Sequence, residues 1–355
     1  MRAIVWTGEL EVRDDVEVRA PGPREVKVRV HRAGLCHSDV SVMDGTIPLP
    51  PPMVLGHEGA GVVEEVGPAV TGVRPGDHVV LVTIGHCGQC DACARGLATH
   101  CRNRAGWTDT RFTSRGERMP AFANLGVFSD YTVVHEHQAV RIDPAVPLDA
   151  ASLIGCAVVT GVGAVLNRAQ VRPGETVVVI GAGGIGQSVI QGARLASAGR
   201  VVAVDANPGK EEAARRCGAT DFVDASSVGD TVAAVREVEP GGVDYAFECV
   251  GHPALIRQSI GMLGTGGSCV LLGVPKLGTE ASFVVADLYE DRSILGCRYG
   301  QTRPHHDIPL IVRFYLDGRL QLDEMVSRTY DLADIQRALD DLAAGTLNRG
   351  VLSLT

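Results

Sequence analysis

Val177–Asn207 reads VVVIGAGGIGQSVIQGARLASAGRVVAVDAN, and this stretch decides the fold. An apolar run, Val177–Ile180, leads into Gly181-x-Gly183-x-x-Gly186. A helical pattern follows over Gly183–Ser197, and a second apolar run, Val201–Asp205, ends on an acid. In a strand–turn–helix–strand setting the three glycines have separate tasks. One permits the tight turn, the next lets backbone approach a pyrophosphate, and the third lets helix pack on strand. Gly184 and Ile185 open the helix, whose unbonded N–H groups and dipole favour phosphate. Asp205 suits the hydroxyls of an adenosine ribose and repels a 2′-phosphate, so NAD(H) is expected rather than NADP(H).

Toward the C-terminus the same alternation continues. Val243–Glu248 is strand-like, a helix is expected near Ala254–Leu263, and Cys269–Gly273 is strand-like again, which together spell a parallel, doubly wound sheet. Helical patterns return in IPLIVRFYLDGRL and LADIQRALDDLAAG, and the chain closes on the strand-like RGVLSL. Toward the N-terminus the grammar differs. EVKVRVHRAGLC, GAGVVEEVG and GDHVVLVTIG are short alternating strands punctuated by PGPRE and VRPGD, the pattern of an antiparallel, barrel-like β domain. The tract IPLPPPMV reads as an extended loop between strands.

The chain has 355 residues, enough for two domains, with 45% hydrophobic and 21% charged residues. A net charge of −9 provides no phosphate-neutralising stripe, so a nucleic-acid partner is not expected. Only Lys27, Lys210 and Lys276 are lysine among 33 basic residues, which reads as a GC-rich genome. MRAIVWTGELEVRD lacks a secretory h-region, and TVVVIGAGGIG is broken by glycine too early to span a bilayer. A cytoplasmic protein without membrane attachment is expected, and there ten cysteines read as metal ligands or reactive groups before disulfides.

Cys87, Cys90, Cys93 and Cys101 fall in CGQCDACARGLATHC with spacing C-x2-C-x2-C-x7-C. Four thiolates so placed can wrap one tetrahedral ion, and a structural Zn²⁺ wants such a closed shell. Iron–sulfur runs have other spacings, and a redox pair needs only two cysteines beside a βαβ unit. His86 and His100 are read as ordinary loop histidines. Cys217, Cys249, Cys269 and Cys297 are read as small buried apolar residues.

Three more segments complete a pattern: AGLCHSDV with Cys36, His37, Ser38 and Asp39; LGHEGAG with His57 and Glu58; and IGCAVVTG with Cys156 and Thr160. Together with the four-cysteine lobe and GAGGIG, the chain resembles the zinc-dependent medium-chain alcohol dehydrogenase family nearly end to end. The segment RNRAGWTDTRFTSRGERMPAFANLGVFSDYTVV is similar to that of the liver-type branch. The resemblance implies a GroES-like catalytic domain over residues 1–156 with a structural zinc lobe at 86–102. It implies a Rossmann domain over 157–296, a return to the catalytic domain over 297–355, and an active site in the cleft between domains.

By that resemblance Cys36, His57 and Cys156 would hold a catalytic zinc with one position open to substrate, giving two zinc ions per chain. Glu58 would tune the metal from behind His57, and Ser38 would take the first proton. His37 would face the cofactor pyrophosphate and Thr160 the nicotinamide. Lys210 is expected near the adenosine, Val274 near the nicotinamide, and Arg349 at the pyrophosphate. Where the liver-type relay ends on a histidine, this chain has Ser41, so His37 or solvent would take the proton, or the relay differs. Ile47, Thr83, Phe128 and Leu295 match positions that line the substrate cleft. Thr83 stands where relatives often carry an aromatic, which implies room for an alcohol bulkier than ethanol, and GTIPLPPP has no acid to suit a glutathione adduct.

The expected activity is reversible hydride transfer between an alcohol, aldehyde or ketone and NAD(H), with zinc polarising the substrate oxygen. One alternative is an enzyme that keeps NAD bound and passes electrons to an external carrier, since YGQTRPHHDIPLIVRFYLDGRL is similar to a stretch in such bacterial members. A second is a non-catalytic NAD-binding protein. The expected assembly is a homodimer through the edge strands of the nucleotide sheets, or a homotetramer.

Overall fold

The computed structural model describes residues 1–103 and 109–354. Part of the liver-type segment, RAGWT at 104–108, therefore lies outside the described residues. The chain divides into two compact units, Met1–Cys156 with Arg303–Thr355, and Ala157–Thr302. The return to the first unit comes at Arg303 rather than at residue 297. The reason is local: Tyr299–Gln301 packs on Val159–Gly163, and Thr302 Oγ1 donates to Val159 O at 3.3 Å, which keeps this segment with the second unit.

The first unit is β-rich. Its main sheet runs, in spatial order, Ala139–Arg141, His78–Leu81, Gly59–Val66, Glu25–Gly34, Arg349–Ser353 and Val326–Asp331, with Tyr131–His135 also pairing to Glu25–Gly34. Period-two alternation in EVKVRV puts Val26, Val28 and Val30 wholly inside. The C-terminal strand joins this sheet, with Val351 opposite Gly34. It thereby brings Arg349 to the edge of the site described below.

The second unit is a six-stranded parallel sheet in the order Asp221–Asp224, Arg200–Asp205, Thr176–Ile180, Val243–Glu248, Leu263–Leu271, Ser293–Gly296. Continuous apolar runs such as Val177–Ile180 are buried on both faces, as parallel strands covered by helices must be. Helix Gly184–Leu195 turns its Val189, Ile190 and Ala193 into one of those cores.

Candidate functional site

Two sulfur-rich groups emerge in the first unit. The ligand atoms of Cys36, His57, Glu58 and Cys156 lie within 4.8 Å of one another, and so do those of Cys87, Cys90, Cys93 and Cys101. Three local devices deliver the first four. Cys36 is the extended N-cap residue of helix His37–Met43. His57 and Glu58 follow Gly56, whose φ of +92° turns the chain sharply before strand Gly59–Val66. Cys156 sits in a wide π turn, Ile154–Val158, inside an otherwise α-helical run. Gly155 lets that turn press on strand His78–Leu81, since a Cβ there would fall onto the Leu81 carbonyl oxygen. π turns recur where a helix must aim one side chain at a site.

Asp39, three residues after Cys36 in AGLCHSDV, is a residue that the sequence singles out without disclosing its role. It is fully buried, and its Oδ1 lies 3.2 Å from His57 Nδ1 and accepts the Gly56 N–H at 3.1 Å. A proton on Nδ1 leaves the Nε2 lone pair free, and Nε2 is buried with no protein partner. That orphaned nitrogen, beside two thiols, is what a metal ligand looks like before the metal is considered, so the residues fit a zinc ion. The signal for Asp39 was chemical: a ligating histidine needs an acceptor behind it, and a short acid lay close to the first cysteine. Phe122 carried no such signal, yet its ring meets the His57 ring edge-on at 5.1 Å.

The electrostatics agree. A hydrogen bond from Cys156, and then the nearby His57, hold the Cys36 thiol well below its ordinary value. The same pairing and burial push Cys156 up, so the two sulfurs share a proton that a cation would displace. At His57, burial opposes protonation, but the charges of Asp39 and Cys36 outweigh it and favour a second proton, on Nε2, which a cation would displace to take up that lone pair. Burial drives Glu58 up to about 7. Arg349 stays protonated because Glu58 and Cys36 outweigh its own desolvation. Arg349, expected at the pyrophosphate, is buried with its Nη2 on Glu58 Oε2, beside the thiols. Gly34 makes room for this pair, since a Cβ there would crowd Glu58 Oε2 and Arg349 Nη2.

In the second group, Cys90 Sγ lies 3.5 Å from Cys93 Sγ and 3.9 Å from Cys101 Sγ. Backbone N–H groups of Gln89 and Cys90 point at Cys87 Sγ, and the Cys87 N–H points at Cys101 Sγ. Backbone donors pull Cys90 down to about 6, while burial pushes Cys93 up to about 12. The loop thus gathers four sulfurs and aims positive dipoles at them, the preparation a structural zinc needs. His86 and His100 stand outside the sulfur group: the first stacks on His137 at 5.1 Å, and the second meets Thr99 Oγ1 at 3.0 Å. Cys217 and Cys269 are buried, whereas Cys249 and Cys297 are only partly so.

The remaining expected residues are placed as follows. His37 is exposed, and Ser38 Oγ lies 3.7 Å from Cys36 Sγ. Ile47 and Thr83 are half-buried in the first unit. Phe128 does not line an opening. It is wholly buried in the core, with its ring packed so close to Gly56 that a Cβ there would strike it.

In the second unit Gly181 has φ +89°, Gly183 caps helix Gly184–Leu195, Ile185 packs on the core, and a Cβ on Gly186 would strike the Gly181 carbonyl oxygen. Asp205 accepts the Ala182 N–H at 2.7 Å and the Asn207 N–H at 2.8 Å, which fixes its carboxylate beside the glycine turn. Burial lowers the half-buried Lys210, and Asp205 opposes that shift. Thr160 is buried in helix Val159–Gly163. Val274 is 62% exposed, and Leu295 leans on the core from strand Ser293–Gly296.

Comparison with known proteins extends these observations. An alcohol dehydrogenase GroES-like domain matches residues 22–144, and a zinc-binding dehydrogenase domain matches residues 184–317. The probable S-(hydroxymethyl)glutathione dehydrogenase 1 of Schizosaccharomyces pombe is 36% identical over 99% of this chain and 96% of its own. An alcohol dehydrogenase zinc-binding domain protein from Burkholderia ambifaria superposes with a TM-score of 0.94 at 38% identity, covering 100% of this chain and 98% of that one. Benzyl alcohol dehydrogenase from Acinetobacter calcoaceticus does so with a TM-score of 0.92 at 34% identity, covering 100% and 99%.

Proposed function

The chain belongs to the zinc-dependent medium-chain alcohol dehydrogenase family, an oxidoreductase family using zinc and NAD(H), and on that premise we propose that it interconverts a primary or secondary alcohol with its aldehyde or ketone. One observation carries the reading: the ligand atoms of Cys36, His57 and Cys156 converge within 4.8 Å, with His57 Nε2 buried and unpartnered. A zinc ion held by these three side chains supplies Lewis acidity toward a substrate oxygen. The chain's own residues do the rest. Asp39 fixes the ring and tautomer of His57, and Glu58 with Arg349 sets the charge beside the thiols. Ser38, 3.7 Å from Cys36 Sγ, is the hydroxyl placed to receive the alcohol proton, and the exposed His37 opens the next step to solvent. The Gly181–Gly186 turn holds the pyrophosphate, and Asp205 selects NAD over NADP.

The substrate we propose is bulkier than ethanol, in keeping with Thr83 and with the benzyl alcohol dehydrogenase among its relatives. Glutathione adducts are disfavoured by the acid-free GTIPLPPP loop, although other relatives are named for them. The protein is proposed to be cytoplasmic, with its cysteines reduced, and to form a homodimer or a homotetramer. The edge strand Ser293–Gly296 and the exposed Leu277, Val284, Val285 and Tyr289 supply the dimer surface.

The test is a panel of ethanol, longer primary alcohols, benzyl alcohol and S-hydroxymethylglutathione, read by NADH absorbance on zinc-loaded enzyme. A preference for bulky alcohols is expected. A sharp optimum at ethanol or at the glutathione adduct rejects the substrate assignment. Slow turnover with added NAD, relieved by an artificial acceptor, would assign the carrier-linked reaction instead.

A further inference from the structure

Strand Val243–Glu248 ends on a carboxylate with no role in the site so far. Glu248 is 0% exposed. Its Oε1 accepts the N–H groups of Val250 at 2.9 Å and Gly251 at 2.8 Å, and its Oε2 accepts that of Gly251 at 3.0 Å. Burial raises its pKa, and the backbone donors of Gly251, Val250 and His252 oppose the shift. A buried carboxylate is costly unless hydrogen bonds replace its water, and here they come from one loop, Cys249–His252.

That loop has a telling place. The strand order reverses between Thr176–Ile180 and Val243–Glu248, since the chain builds outward from the first to one edge and from the second to the other. In open α/β sheets, ligands bind in the crevice outside the carboxyl ends of strands at such a reversal. The Gly181–Gly186 turn follows one of these two strands, and Cys249–His252 follows the other. They touch: a Cβ on Gly181 would come 2.7 Å from Val250 Cγ2. On its other side the loop backs onto Val274 and Pro275. A Cβ on Gly251, where φ is +89°, would meet backbone of both at 2.9 Å. Glu248 therefore ties from beneath a loop that spans the crevice from the glycine turn to Val274.

We propose that Glu248 is a positioning residue for the dinucleotide, fixing Cys249–His252 as the second wall of the crevice without touching the cofactor. This rests on the dinucleotide reading of the glycine turn. The experiment uses the full-length, zinc-loaded enzyme and its Glu248→Ala and Glu248→Gln variants. It measures the NADH dissociation constant by fluorescence, KM for NAD and for the alcohol, and zinc content. The Ala variant is expected to weaken NADH binding and raise KM for NAD about tenfold or more, with KM for alcohol at saturating NAD and zinc content unchanged. The Gln variant keeps one acceptor for Val250 and Gly251 but turns an amide donor toward the Gly251 N–H, so its loss is expected to be about threefold. Wild-type NADH affinity in the Ala variant, or equal losses in both variants, overturns the proposal. Should the Ala variant fail to fold, wild-type affinity in the Gln variant overturns it. Failure of the wild-type enzyme itself to bind NADH would overturn the dinucleotide reading and be told apart at once.

Discussion

At His57 the ring is held from one side by Asp39, 3.2 Å from Nδ1, so that Nε2 is left with a lone pair and no partner. Asp39→Asn keeps the size but loses the acceptor charge, and is expected to weaken zinc affinity about 10- to 100-fold. Competition with a chelator, followed by metal analysis, checks this; unchanged retention would deny Asp39 its orienting role. At Gly186 a methyl group would strike the Gly181 carbonyl, so Gly186→Ala is expected to abolish NADH binding while both zinc ions stay bound. Calorimetry with NADH and metal analysis on the same sample test that outcome. Sequence reached these two positions unequally. The glycine spacing announced itself, whereas Asp39 needed its fold partner to be seen.

Elements deliver these residues, and they bring their own sensitivities. In the lobe Cys87–Cys101, helix Asp91–Ala94 buries only Ala92 and the short turn Ala98–His100 only Ala98 and Thr99, and the four sulfurs gather beside them. Cys90→Ser is expected to lower zinc content from two per chain to one and to shorten the half-life on heating, as loss of a structural zinc removes folding energy outright. At the start of strand Glu25–Gly34, Arg19 and then the Gly22 N–H hold the Glu25 carboxyl below its ordinary 4.5. A lowered folded value means stability present in full above 4.5 and lost as pH falls through that folded value. Glu25→Gln is therefore expected to cost about 1–2 kcal/mol at neutral pH and nothing once the carboxyl is protonated. Urea unfolding of both proteins across pH 2–7 reads the difference. A gap that persists in acid would assign the cost to packing.

At the scale of the whole molecule, two apolar features call for different explanations. Leu148–Ala169 is long and apolar enough to cross a membrane by length and composition, yet it is mostly buried inside the protein. Leu277, 81% exposed, and Val285, 63% exposed, lie instead on the surface, in the segment that leads into the edge strand Ser293–Gly296. Leu277→Asp combined with Val285→Asp is expected to convert the proposed dimer to monomer in light scattering. An unchanged mass would place the subunit contact elsewhere.

Local grammar settled much of this protein. Periods of two and 3.6 residues, the glycine spacing and the cysteine spacing are written into neighbouring residues, because backbone geometry and tetrahedral ligation act over a few positions. The order of the parallel strands, and so the place of Cys249–His252 beside the glycine turn, came only with tertiary structure. The same holds for Arg349, which closes on Glu58 from the far end of the chain, and for Phe128, expected at an opening but sealed in the core. Pairing of distant charges and the filling of slots depend on three-dimensional packing, and residue identity along the chain does not carry that information.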